Sequence, residues 1–188
     1  MTKFLLSTAA AALAIAAVLP SQASAATLLA GKTIQLRYIF PDAATTFEGP
    51  VNYTVGTSPD AVFFGLVNVK VTDTKIFFSV PGFTGNFSGA AFNGLRLTDA
   101  SNTVASFTSA TLSPSSTFGG FTQSRISFDA NNVNLNFQGL AIAPDGVAVV
   151  DLAGGVPEPA AWALMLAGFG IVGGAMRRRQ QTVRVTYA

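Results

Sequence analysis

The sequence predicts an all-β protein, an antiparallel β-sandwich or jelly roll of about 8–9 strands, with an N-terminal signal helix and a C-terminal transmembrane helix at its ends. Three observations lead there. Apolar and polar residues alternate at period two through the middle of the chain. Clusters of Gly, Pro, Asn and Asp recur between the alternating runs. No stretch of helical period occurs between residues 26 and 156.

The chain begins with a secretory signal peptide, expected over residues 1–25. Lys3 supplies a positive start, Phe4 to Leu19 is an apolar run, and Pro20 breaks it. Ala23 and Ala25 are small at both positions that a signal peptidase needs open, so cleavage is expected after Ala25.

Residues 26–153 are expected to be the exported β domain. Ile34, Leu36, Tyr38 and Phe40 fall on one face of a strand, as do Val51, Tyr53 and Val55. The pattern returns at Val67, Val69 and Val71, at Ile76, Phe78 and Val80, and at Leu95 and Leu97. It continues at Ile126 and Phe128, at Val133, Leu135 and Phe137, and at Val147 and Val149. Opposite faces carry polar residues, as in Asn68-Val69-Lys70 and Asn134-Leu135-Asn136, which marks antiparallel strands with one buried face. Gly82 to Gly89, Ser113 to Gly120 and Pro144-Asp145-Gly146 read as turns. Fourteen phenylalanines lie in this domain, and the pairs Phe63-Phe64 and Phe77-Phe78 put an aromatic ring on both faces of a strand. A phenylalanine-rich core standing in for missing disulfides is expected, with an exposed aromatic patch suited to adhesion as the sharper alternative.

Composition narrows the chemistry. The 188-residue chain has no cysteine and no histidine, which excludes disulfide scaffolds, thiol nucleophiles, Ser-His-Asp triads and ordinary zinc or haem sites. No metal and no cofactor is expected. The net charge of +2 belongs to the ends, because residues 26–156 hold six basic and eight acidic side chains. A nucleic-acid partner is therefore not expected. Glycoside hydrolysis needs two carboxyls ~5–9 Å apart, and Asp42 with Glu48 is the only close pair that includes a glutamate. Both occupy turn contexts, Pro41-Asp42 and Glu48-Gly49-Pro50. No Ser-x-x-Lys, Gly-x-Ser-x-Gly, phosphate-cradling or calcium-loop run occurs. The expectation is a protein without catalytic residues. A carbohydrate-binding module is the alternative, resting on Tyr38 and Tyr53 as stacking platforms, and a glycan-active enzyme is the least favoured reading.

Residues 154–159 form a linker in which Pro157, Glu158 and Pro159 keep the backbone extended. Ala160 to Met176 is a 17-residue uncharged, mostly apolar run. As a helix it spans about 26 Å, close to the thickness of a bilayer core. Trp162 stands near its outer end, and Gly170 with Gly174 forms a small-xxx-small pair. Arg177, Arg178 and Arg179 end the run and should stay cytoplasmic, leaving the β domain on the far side of the membrane. Residues 177–188 make the basic cytoplasmic tail.

In sequence order, Pro157-Glu158-Pro159, Trp162-Ala163, the apolar run and the arginine cluster resemble the PEP-CTERM sorting signal in its PEPxxWA form. The resemblance implies processing by an exosortase, a membrane-embedded cysteine transpeptidase, after transient anchoring in the membrane. Pro157, Glu158, Pro159, Trp162 and Ala163 would be the recognition element, and Arg177 to Arg179 the cytoplasmic stop. It further implies export across the inner membrane and delivery to the cell surface or extracellular matrix of an exopolysaccharide- and biofilm-forming bacterium. On that reading the protein is a structural or adhesive matrix component, with exopolysaccharide as a partner. Tyr38 to Pro50, Phe92-Asn93-Gly94 and Phe137-Gln138-Gly139 also resemble a small uncharacterised β-rich secreted family, which brings no activity with it.

Overall fold

The computed structural model describes residues 27–155 and 159–178. The signal peptide with Ala23 and Ala25, together with Pro157, Glu158 and Arg179, lies outside the described residues. Among them run β1 (Thr33–Ile39), β2 (Thr46–Thr54), β3 (Ala61–Phe63), β4 (Val67–Val71), β5 (Lys75–Ser79) and β6 (Gly85–Asn86). After these come β7 (Gly94–Thr98), β8 (Phe107–Leu112), β9 (Ile126–Phe128), β10 (Asn132–Asn136), β11 (Ala141–Ile142) and β12 (Val147–Gly154). A single helix, α1 (Pro159–Arg178), follows.

Two five-stranded antiparallel sheets dominate, in the orders β2-β1-β7-β10-β9 and β3-β4-β5-β12-β8, with a short β11-β6 ladder beside them. Inward residues of both sheets join one apolar cluster, which makes the domain a β-sandwich. Ile34, Leu36 and Tyr38 of β1 face inward while Gln35 and Arg37 between them stay half-exposed. Period-two alternation therefore does what it should in β1, β4, β5, β7 and β10. Gly94 is required where β7 meets β10, because a Cβ there would overlap the Leu135 carbonyl.

The strand count exceeds the expected 8–9, since twelve strands occur among the described residues. β3, β6 and β11 are only two or three residues long, too short for any period to register. β8 reads Phe-Thr-Ser-Ala-Thr-Leu and buries only Phe107 and Ala110, three positions apart, because its ladder with β12 is irregular near Ala153 and Gly154. The long turn expected over Gly82 to Gly89 contains β6.

One face assignment is reversed. Val147 and Val149 were expected to point inward, but Ala148, Val150 and Leu152 join the core. Both faces of β12 are apolar over Val147 to Val150, so alternation cannot choose between them. The Asp151 side of the strand faces outward, where the carboxylate pairs with Lys75 directly across on β5.

The phenylalanine-rich core is present. Phe137 is fully buried and stacks on Phe78 at 3.9 Å and on Phe121 at 4.6 Å between ring centroids. Phe87 and Phe118 lie at 5.3 Å from the same ring. Three of those four partners, Phe87, Phe118 and Phe121, lie outside the strands, so connections as well as strands fill this part of the core. Deleting a buried ring of this kind costs ~3–5 kcal/mol.

The helix expected over 160–176 is realised as α1. Its described side chains from Met165 to Gly174 are all exposed, including Phe169 at 68 % and Ile171 at 74 %. The side chains of Trp162 and Ala163 lie outside the described ones. Among the described residues no helix is long and apolar enough to cross a membrane.

Candidate functional site

Asp42 and Glu48, the one carboxylate pair that the sequence offers for chemistry, both serve the backbone. Asp42 Oδ1 accepts from the amides of Ala44 and Thr45, each at 2.9 Å, and closes the turn between β1 and β2. The Ala44 amide first, with Thr45 adding to it, holds the Asp42 carboxyl below the usual carboxylate range. Glu48 Oε2 accepts from the Phe64 amide at 2.9 Å, across from β2 to the turn joining β3 and β4.

That turn holds one of the two non-glycine residues with positive φ among the described residues. Phe64 has φ of 53°, a left-handed conformation rare for a bulky side chain. The Glu48 bond and a Leu66 amide bond to the Phe63 carbonyl hold it there. The consequence is that Phe63 stays buried while Phe64 is turned out, 42 % exposed. Sterically costly residues of this kind persist where the surroundings over-determine them, and they concentrate at functional surfaces.

Around Phe64 lies an aromatic patch. Phe47, 61 % exposed, packs at 5.4 Å from Phe64 and at 5.6 Å from Phe40, both edge-on. Tyr38 supports Phe64 from beneath at 4.9 Å. Val62 and Leu66 are exposed on either side of the turn. Single exposed apolar residues are ordinary, but a contiguous set held in place by a strained turn is not. Of the expected aromatic pairs, Phe63-Phe64 contributes to this patch. Phe77 instead lines an open groove of about 400 Å³ with Asp60, Asn68, Lys70, Thr72 and Ser79.

Tyr38 and Tyr53 cannot be sugar platforms, which corrects that version of the carbohydrate-binding reading. Both are buried, at 6 % and 3 % exposure. Tyr38 donates to Asn93 Oδ1 and Tyr53 donates to the Val71 carbonyl. Burial pushes the Tyr38 phenol far above its ordinary pKa. The alternation that marks a strand also turns these rings inward, and the hydroxyls are satisfied there.

Phe40 is read from the sequence only as one more residue on the apolar face of the first expected strand, and Phe47 is not singled out at all. Phe47 lies in β2, whose pairing with β1 shifts register between Leu36 and Ile39, so no alternation points to it. Gly49 permits the irregularity, with φ of 101° and no room for a Cβ, which would stand 2.8 Å from the Leu36 carbonyl oxygen. Among the described residues no group of three or more His, Cys, Asp or Glu is placed to hold a metal ion.

Sandwich and tail together define an exported β-domain protein that ends in a processing signal. Residues 155–180 match the PEP-CTERM protein-sorting motif. The chain thus carries the signal of an exosortase-sorted protein, exported and directed to the cell surface. No curated protein and no solved structure matches the chain. Of the motif residues, Pro159, Trp162, Ala163, Arg177 and Arg178 fall within α1, and Arg177 is exposed.

Proposed function

We propose that the mature β domain is a non-catalytic structural or adhesive component of the extracellular matrix, released there after transient anchoring of α1 in the membrane. The observation that carries this reading is a boundary. β12 ends at Gly154 and the sorting motif begins at residue 155. Cleavage near Pro157-Glu158-Pro159 would therefore leave every strand of the sandwich intact. Arg177, Arg178 and Arg179 would hold the tail on the cytoplasmic side, and signal peptidase would act after Ala25.

Two features support adhesion over catalysis. The Asp42 and Glu48 carboxylates are engaged with backbone amides, and the aromatic patch offers flat apolar rings to the faces of sugars in an exopolysaccharide. The test is fractionation of the epitope-tagged chain from cells that make exopolysaccharide and from cells that do not. Wild type should sediment with the matrix of the first and appear in the medium of the second, and the Phe47→Ser, Phe64→Ser double variant should appear in the medium of both. Equal release of wild type and variant into the medium, in the presence of matrix, would overturn the adhesive reading.

A further inference from the structure

The outer face of the β2-β1-β7-β10-β9 sheet is built of amides, hydroxyls and two guanidiniums. Arg37 on β1 stands directly opposite Arg96 on β7. Directly opposed residues of an antiparallel pair have Cα atoms ~4.5–5.5 Å apart, and like charges so placed destabilise the sheet. Neither arginine has an acidic partner within ion-pair distance among the described residues, where the one ion pair, Lys75–Asp151, belongs to the other sheet.

Both side chains are nonetheless held in place by neutral oxygens. Arg37 donates to Gln35 Oε1 at 2.6 Å and to Thr98 Oγ1 at 3.3 Å. Arg96 donates to Asn134 Oδ1 at 2.6 Å and to the Ala43 carbonyl at 2.8 Å. Each guanidinium has five N–H groups, so these bonds engage fewer than half of the donors on either half-buried arginine. The Asp129 carboxyl is held below the usual carboxylate range by the Asn131 amide first and by Arg96 last, but its oxygens are taken by the Asn131 and Asn132 amides and by Asn132 Nδ2.

Flanking the pair, Asn52, Gln35, Thr98 and Asn132 form one row across four strands, and Asn134 with Ser127 extends the arginine row. Amides and hydroxyls both donate and accept, which suits sugar hydroxyls, and guanidinium forks suit carboxylates. Strand spacing of ~4.8 Å sets these groups at intervals close to one sugar unit of an extended glycan. We infer that this face binds a carboxylated polysaccharide, with Arg37 and Arg96 taking the uronate carboxylates and the polar rows taking the hydroxyls. The inference rests on the matrix role proposed above and names the ligand class. A carboxylate polymer is favoured over nucleic acid because the neighbours of the arginines in these rows are amides and hydroxyls, with no aromatic ring among them on which a base would stack.

The test uses full chain recovered in non-ionic detergent from cells lacking exosortase, titrated with polygalacturonate, with its fully methyl-esterified form and with single-stranded DNA. Polygalacturonate should bind, the ester should not, and binding should weaken steeply as salt rises to about 0.5 M. R37Q and R96Q should each weaken binding about tenfold, and K70Q on the other sheet should leave it unchanged. Both variants should fold, since each removes a like-charge opposition, and the ester and salt arms need no variant. Equal binding by wild type and both variants, equal binding of acid and ester, or DNA binding as tight as polygalacturonate would overturn the assignment. So would absence of polygalacturonate binding by a chain that still sediments with the matrix, an outcome that leaves the structural role standing.

Discussion

Glu48 is the residue at which a catalytic and a positioning role part most sharply. Its carboxylate holds the amide of Phe64 at 2.9 Å, and Phe64 is kept in a left-handed conformation. A hydrogen bond to a charged group contributes ~1.5–3 kcal/mol net, and competition from water at this partly exposed site brings it to about 1 kcal/mol. Glu48→Ala removes the acceptor and should lower stability by that amount. With a urea slope of ~2 kcal/mol/M the midpoint should fall by about 0.5 M. Glu48→Gln keeps an oxygen that can accept the same amide and should lose less than half as much. The assay pairs urea unfolding with hydrogen exchange at the Phe64 amide, whose protection should drop in Glu48→Ala and largely survive in Glu48→Gln. Equal losses in both variants, or unchanged protection in Glu48→Ala, would refute the reasoning, because a backbone acceptor is the only role assigned to this carboxylate.

The remaining predictions concern the core and pH. Phe137→Ala removes the ring that Phe78, Phe87, Phe118 and Phe121 all touch, and should cost ~3–5 kcal/mol by chemical denaturation, whereas Phe47→Ala should cost under about 1 kcal/mol. Tyr38→Phe leaves buried Asn93 Oδ1 without the phenol it now accepts from, a loss of ~1–2 kcal/mol in the same assay with matrix retention unchanged. Asp42, Asp129 and Asp151 all have depressed carboxyl pKa values, through the Ala44 amide, the Asn131 amide and Lys75 respectively. Depressed folded values contribute stability above the unfolded pKa of ~3.9 and lose it as pH falls through the folded values. With no histidine in the chain, Tm should be flat from about pH 5 to 7 and fall below about pH 4.

How far the sequence could be read followed from whether a feature is local. The tail was legible because Pro157-Glu158-Pro159, Trp162-Ala163 and the arginines stand in one contiguous run. β1, β4 and β10 were legible because one polar face and one apolar face each set the register. β12 was misassigned because both its faces are apolar, and its orientation depends on Lys75 in another strand. β8 was missed because an irregular ladder breaks its period. The aromatic patch joins Phe40 and Phe47 to Phe64, and the Arg37–Arg96 opposition depends on β7 pairing with β1 although β2 to β6 lie between them in the chain. Such juxtapositions come from topology and leave no spacing to read.

The central claim is that an intact sandwich is cut from a disposable tail and delivered outside the cell. The most direct measurement is the mass and location of the mature chain, tagged within the loop between β2 and β3, in cells with and without exosortase. Loss of the segment beyond Pro157-Glu158-Pro159 and recovery outside the cell, with a longer membrane-bound form accumulating in the mutant, is the predicted result. The same mass in the same fraction from both strains would contradict it.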